Sequence, residues 1–423
     1  MTDEPWVPVP AGSGFGIENL PYGVFARPGE LPRVGVAVGE AVLDLAGLAA
    51  AGLLDDRRWF ASGSLNGFMA AGRTAWLATR ARVTQLLTDP AHRSQVEPHL
   101  IPLPQVELLR PIEVADFVDF YSSIHHAANA GQMFRPHANP LTPNWRRMPV
   151  AYHGRAGTVY VSGTPIFRPW GQRREEHEPE PTYGPSRRLD FEAEVGFVAG
   201  VPSAPGHPLP PAAFRDHVFG FLLVNDWSAR DIQMWESRPL GPFLGKSFAT
   251  SISPWVVPVD ALEAARVTPP VQDPPVLPYL RHDEPWGLDI TLEVELNGHV
   301  IARPPFASMY WTPPQQLAHA TVNGAPLRTG DLFASGTVSG AEPTERGCLL
   351  ELTWNGTEDL VLPDGTTRTF LEDGDTLTIR AHAPTATGAR LTLGEVTGTI
   401  HPSPAAPAPA MAGGRNPITG GHP

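Results

Sequence analysis

Cysteine occurs once in the 423 residues, at Cys348. A lone thiol excludes an internal disulfide framework and any zinc centre built on cysteines, and it fits a reducing compartment, so a cytoplasmic location is expected and Cys348 reads as a small core residue. No apolar run reaches the roughly 18 residues that suggest a membrane span. The start, MTDEPWVPVP, has acids and prolines where a signal peptide needs a basic segment and an apolar run. Positive charge is also short: 31 − 44 = −13. With no basic stripe, nucleic acid and anionic membranes are poor partners, and a small molecule is expected instead. Lysine is as scarce as cysteine, because Lys246 stands alone among the basic residues and the other 31 − 1 = 30 are arginine. A bias that swaps lysine for arginine has spared one position. A compact ammonium with three rotatable donors cannot be copied by a planar guanidinium in a tight site, which marks Lys246 as a candidate functional residue.

What is abundant points to a β-rich fold. Hydrophobic residues at 42% and charged residues at 18% describe a folded globular chain. Forty-nine prolines and 41 glycines favour turns and short strands over long helices. The expected class is mainly β with few helices, and the length suggests two or three domains. Residues 34–45 alternate around Gly39-Glu40 like a hairpin, helices are expected at 64–72 and 73–88, and the proline-punctuated stretch 101–112 reads as a connector. These features place a boundary near residue 115, separating a small N-terminal domain (1–115) from a larger one (116–401). Strands are expected at 189–199, 217–225, 288–296, 349–354, 375–382 and 390–400, with Asn297-Gly298 a hairpin turn. Helices are expected over 122–131 and from Ser228, which has capping-box spacing to Asp231. Residues 402–423 are low in complexity and expected to be disordered.

Several residues could carry chemistry. Asp190, Glu192 and Glu194 alternate with apolar residues, so on a strand they share a face, and a convergent set of acids needs a cation. Asp289, Thr291, Glu293 and Glu295 alternate in the same way, so a solvated strand face explains either set. Asp226 ends the apolar run 218–224 and precedes a helix bearing Arg230 and Gln233 on one face; PLGPFLGKSFAT follows with the lone lysine. His125 and His126 lie just after Asp119 and Tyr121, and only one of two adjacent helical residues can enter a site. Glu351, inside CLLELTW, needs a partner if buried, and a histidine is a suitable one.

Residues 119–135 (DFYSSIHHAANAGQMFR), 144–156 (NWRRMPVAYHGRA), 190–196 (DFEAEVG), 224–250 (VNDWSARDIQMWESRPLGPFLGKSFAT), 330–340 (GDLFASGTVSG) and 347–354 (GCLLELTW) together resemble the fumarylacetoacetate hydrolase family, over about residues 15–400. The resemblance selects 192–194 over 293–295. It implies an N-terminal SH3-like barrel followed by a β-roll domain, a homodimer, and hydrolysis of a carbon–carbon bond in a β-diketo acid, the last step of tyrosine and phenylalanine breakdown. It further implies that Asp119, Glu192, Glu194 and Asp226 hold Ca²⁺ or Mg²⁺, with a second Mg²⁺ site touching Asp226, Lys246 and Thr250. His126, oriented by Glu351, would act as base, and Arg230, Gln233 and Lys246 would stabilise the oxyanion. Tyr121, Arg135, Tyr152, Gln233 and Thr337 would position the substrate. The family usually has a substrate-contacting tyrosine where this chain has Ser237, which leaves a hydrolase of another acylpyruvate or β-diketo acid as the enzymatic alternative. A noncatalytic binding scaffold is the alternative outside enzymes.

Overall fold

The run VFGFLLV at 218–224 does not alternate, and the computed structural model, which describes residues 5–405 apart from residue 56 and residues 175–177, shows why. The strand it forms is covered on both faces, so every position is apolar. Phe221 and Leu223 enter a core shared with a second sheet, while Leu222 and Val224 enter a core shared with the N-terminal segment.

That N-terminal segment contributes β1 (Tyr22–Ala26), β2 (Arg33–Val38) and β3 (Ala41–Asp44), then α1 (Arg73–Thr88), β4 (Leu100–Pro102) and β5 (Glu107–Leu109). The β2–β3 hairpin turns at Gly39-Glu40 as expected. The stretch 101–112 is more than a connector: β4 pairs with β3, and β5 pairs with β1 through Val24 and Leu109. Helix α1 buries Trp76, Val83, Leu86 and Leu87 at helical spacing. The helix expected over 64–72 is reduced to Asn66–Met69.

Beyond residue 115 come β6 (Phe117–Phe120), α2 (Ile124–Phe134), β7 (Ala151–His153), β8 (Ala193–Ala199), β9 (Val218–Asn225), α3 (Arg230–Glu236), α4 (Leu244–Ser247), β10 (Thr250–Ile252) and β11 (Trp255–Pro258). The C-terminal part supplies β12 (Thr291–Leu296), β13 (His299–Ala302), β14 (Leu332–Ala334), α5 (Leu349–Leu352), β15 (Thr376–Pro384) and β16 (Arg390–His401). The main sheet runs β4-β3-β2-β1-β11-β9-β8-β14-β6-β7, so it continues across residue 115 through pairing of Tyr22 with Val256 and Gly23 with Trp255. A second sheet, β13-β12-β15-β16 with Ile166–Phe167 at its edge, packs Leu292, Val294, Ile379 and Leu393 into the shared core. Its first hairpin turns at Asn297-Gly298, both with positive φ.

Three expectations are corrected. Residues 349–354 were expected as a strand, but Leu349–Leu352 is a helical turn, because the Asp190 carboxylate accepts the Leu349 and Leu350 N–H groups at 2.7 and 3.0 Å. Ser228 does not cap α3: it lies in a two-residue strand paired with Leu189–Asp190, and its hydroxyl donates to the Asp226 carbonyl. Asp231 accepts instead from the Ser186 hydroxyl and the Arg187 N–H. The expected strand 189–199 is interrupted after Asp190 and resumes at Ala193. Of the expected disordered tail, 406–423 lies outside the described residues, whereas Ser403 and Pro404 are tied to Arg168 and Trp170. Among the described residues no helix is long and apolar enough to cross a membrane.

Candidate active site and metal centre

The ends of four neighbouring strands of the main sheet converge. Asp119 is on β6, which runs parallel to β14, and β14 is antiparallel to β8, the strand of Glu194. Asp226 follows β9, which pairs with β8 on its other side. Gly336, just past β14, has φ +77°, and a Cβ there would lie 2.2 Å from the Phe120 carbonyl oxygen. Only glycine fits, and its N–H reaches Glu194 Oε2 at 3.2 Å.

The resulting cluster is buried and acidic. One oxygen from each of Asp119, Glu194 and Asp226 lies within 4.8 Å of the others. Glu192 adjoins this trio, its Oε2 2.7 Å from Lys246 Nζ and its Oε1 accepting from Arg230 Nη1 at 2.7 Å. Lys246, 2% exposed, also donates to Asp226 Oδ2 at 2.7 Å. Its ammonium therefore points into the cluster. Thr250 joins through a 3.1 Å bond to Asp226 Oδ1. Arg155 bridges Asp226 Oδ1 at 2.5 Å and Asp119 Oδ2 at 2.7 Å, and Arg230 Nε holds Asp190 at 2.8 Å.

The charges do not close. Five buried acids (Asp119, Asp190, Glu192, Glu194, Asp226) face three bases (Arg155, Arg230, Lys246), and 3 − 5 = −2. Burial, with the charges of Asp119, Glu192 and Asp226, pushes the Glu194 carboxyl well above its usual range. Burial and neighbouring Asp226 push Asp119 up to about 7. Glu192 goes the other way: burial opposes its charge, but Lys246 and Arg230 outweigh burial. Burial likewise penalises the Lys246 ammonium, and Asp226 and Glu192 overcome it, so the lysine stays charged. Glu194 Oε1 is buried without a hydrogen-bond partner. An orphaned carboxylate oxygen among all-oxygen donors carrying a surplus of −2 fits a hard divalent cation.

Beside this cluster lies a histidine–carboxylate pair. Ser123 caps α2 by accepting the His126 N–H, which sets His126 in the first turn. His126 Nδ1 lies 2.6 Å from Glu351 Oε2. Glu351 also accepts from Asn129 at 2.8 Å, Ser339 at 2.7 Å and the Cys348 thiol at 3.2 Å. Burial opposes the Glu351 charge, but His126 and these donors hold its carboxyl down at about 2. His126, Cys348 and Glu351 also converge closely enough to hold an ion. Burial and Glu351 keep that thiol well above its usual range, however, so it remains a donor rather than a thiolate ligand. Asp190 joins the two halves of the site, since it pairs with Arg230 and receives the N–H groups of the turn that carries Glu351.

Both halves open on a cavity of about 920 Å³ lined by Asp119, Tyr121, His126, Tyr152, Glu192, Arg230, Gln233, Ser237, Lys246 and Thr337. Tyr121 packs edge-on against the His126 ring at 5.1 Å. Thr337 Oγ1 is buried and unpartnered at the cavity wall. Glu194, Asp226, Thr250 and Glu351 lie behind that wall. The Ser237 hydroxyl is spent on the Gln233 carbonyl. Arg135 caps the end of α2, donates to the Pro140 carbonyl at 2.7 Å and stands outside the cavity lining, while Arg174 and Arg238 line it. His125 faces a separate hollow. Glu293 and Glu295 are half-buried and paired with Arg303 and Arg380, away from the site.

The sequence reading missed Arg155, Asn129 and Ser339. Nothing distinguishes Arg155 from the other arginines in composition. Asn129 carries a signal of position, three residues after His126 on the same helix face.

Residues 117–401 match the family model described as fumarylacetoacetate (FAA) hydrolase C-terminal, and residues 18–111 match fumarylacetoacetase N-terminal. The fumarylacetoacetase of Arabidopsis thaliana is 47% identical over 416 residues, covering 94% of this chain and 98% of that protein. The fumarylacetoacetase of Homo sapiens is 45% identical over 414 residues, covering 94% and 99%. Among solved structures, the fumarylacetoacetate hydrolase from psychrophilic Exiguobacterium antarcticum shares the fold at TM-score 0.54 and 17% identity, covering 90% of this chain and 99% of that one. On the full-length matches, the chain belongs to the fumarylacetoacetate hydrolase family.

Proposed function

We propose that the chain is a fumarylacetoacetase, hydrolysing 4-fumarylacetoacetate to fumarate and acetoacetate in tyrosine and phenylalanine breakdown. The observation that carries this reading is the meeting, on one cavity, of a cation-demanding acid cluster with a histidine whose Nδ1 is fixed by a buried carboxylate.

Glu351 fixes His126 Nδ1 at 2.6 Å, and in the tautomer that donates from Nδ1 to this carboxylate the other ring nitrogen, Nε2, is the one that takes a proton from water. The hydroxide adds to the carbonyl carbon of the fumaryl group, the carbon bonded to the methylene between the two ketones. Arg230 and Lys246, held charged by their acid partners, and the Gln233 amide stabilise the oxygen on which charge develops. Collapse breaks the carbon–carbon bond and leaves the electron pair on acetoacetate, and the proton that His126 gained from water balances it. Asp119, Glu194 and Asp226, with Glu192 adjoining, would hold Ca²⁺ or Mg²⁺, which supplies Lewis-acid polarisation of the diketo oxygens. A second Mg²⁺ at Asp226, Lys246 and Thr250 would have to use a lysine atom other than Nζ, which is committed to Asp226 and Glu192. Tyr121, Tyr152, Gln233 and Thr337 position the substrate, and the unpartnered Thr337 hydroxyl supports its part. Ser237 contributes contact rather than a donor. Arg135 would need to swing from Pro140 to meet a carboxylate, whereas Arg174 and Arg238 already line the cavity.

A hydrolase of another β-diketo acid is the second reading, favoured by Ser237 alone. We extend the proposal to a cytoplasmic homodimer, supported by the lone buried thiol and by exposed Leu240 and Phe243 beside the cavity mouth. It also includes an N-terminal SH3-like barrel through residue 115, supported by family matches that stop at 111 and resume at 117. The test is loss of the diketone ultraviolet absorbance of 4-fumarylacetoacetate with fumarate and acetoacetate identified as products. Turnover of a different acylpyruvate with 4-fumarylacetoacetate left intact would select the second reading.

A further inference from the structure

Arg155 has no part in the chemistry above, yet it is the most constrained arginine of the site. Its backbone is left-handed, φ 72°, a conformation unfavourable for any residue with a Cβ. Its side chain is 5% exposed and lies between the rings of Phe117 and Tyr152, with the guanidinium 4.8 and 5.1 Å from their centroids. One η-nitrogen donates to Asp226 Oδ1, and the other to Asp119 Oδ2 and the Tyr152 hydroxyl. It thus cross-links two carboxylates from different strands, and both belong to the trio whose oxygens converge within 4.8 Å. A planar fork can span both acids, whereas a lysine could satisfy only one.

The consequence is competition. A cation at the trio would draw on Asp119 and Asp226, whose oxygens Arg155 already engages, and would sit close to its fixed positive charge. We propose that Arg155 is a built-in counter-cation of the divalent-ion centre: it keeps Asp119 and Asp226 at ligand spacing when no ion is bound, and it sets the affinity by competing for their oxygens. This rests on the reading of the acid cluster as a divalent-ion site and deepens it.

The test uses the full chain, chelated and then titrated with Ca²⁺ or Mg²⁺ alone in a calorimeter, with thermal melting before and after addition. Arg155→Met should bind the ion at least tenfold more tightly than the parent, and its chelated form should melt at a lower temperature. Arg155→Lys, which keeps the charge but spans one acid, should bind a few-fold more tightly. Equal or weaker binding by Arg155→Met would overturn the proposal, because a merely structural arginine leaves a looser site when removed. If that variant does not fold without the ion, Arg155→Lys decides: tighter binding supports the competition, and equal or weaker binding refutes it. Failure of the folded parent to bind either ion would instead overturn the divalent-ion reading and the proposal with it.

Discussion

Glu351→Gln is the substitution that separates orientation from charge at the base. Glu351 Oε2 takes donors from His126, Ser339 and Cys348, and Oε1 takes one from Asn129. A glutamine that keeps its oxygen toward His126 turns its NH₂ on the Asn129 amide, which can flip to accept it. The imidazole then keeps its tautomer but loses the counter-charge for the imidazolium. Two unit charges about 4 Å apart at an effective dielectric near 20 interact by about 4 kcal/mol, or roughly a thousandfold in rate. The reverse orientation donates to Nδ1, protonates Nε2 and costs at least as much. Both predict kcat lower by about 10³ with KM little changed, because Glu351 lies behind the cavity wall. The assay is loss of diketone absorbance at saturating substrate and divalent cation, with melting curves to show that the fold is retained. A fall of less than tenfold would refute the orienting and charge-balancing roles together.

Other outcomes follow from the same geometry. The Glu351 carboxyl is held at about 2 in the fold against 4.5 unfolded, so it contributes about 3 kcal/mol of stability above pH 4.5 that is lost as pH falls toward 2. Acid unfolding of Glu351→Gln should therefore lack that part of the slope, and an unchanged acid limb would contradict the shift. Glu194→Gln removes an uncompensated buried acid, so the chelated variant should melt higher than the parent by a few degrees while binding Ca²⁺ at least a hundredfold more weakly; retained affinity measured by calorimetry would exclude Glu194 as a ligand. Ser237→Ala should change KM less than twofold because the hydroxyl is already spent on Gln233, and a tenfold rise would show that it serves the substrate.

Legibility from the sequence followed what each residue had to do alone. Lys246 stood out because one lysine survived among thirty arginines, and Asp226 because it ended a run too apolar for a half-buried strand. Glu192 and Glu194 could not be told from Glu293 and Glu295 by alternation, since the buried stretch that leads into β8 and the half-buried face of β12 both carry acids at every second position; the resemblance separated them. CLLELTW was misread as a strand because a short apolar run has no decisive period, and the acceptor that makes it helical, Asp190, lies 159 residues away. Arg155 was invisible for the same reason: its importance lies in which two strands it joins. Ser228 had the spacing of a cap but gave its hydroxyl to Asp226, where strand pairing prevailed over local capping.

The metal-dependent hydrolysis is tested most directly by supplying 4-fumarylacetoacetate in heavy-oxygen water to the chain after exhaustive chelation, then after restoring Ca²⁺ or Mg²⁺. The chelated chain should show negligible turnover, and restoring the cation should restore turnover in which one heavy oxygen appears in fumarate. Full activity without the cation, or cleavage that leaves fumarate unlabelled, would contradict it.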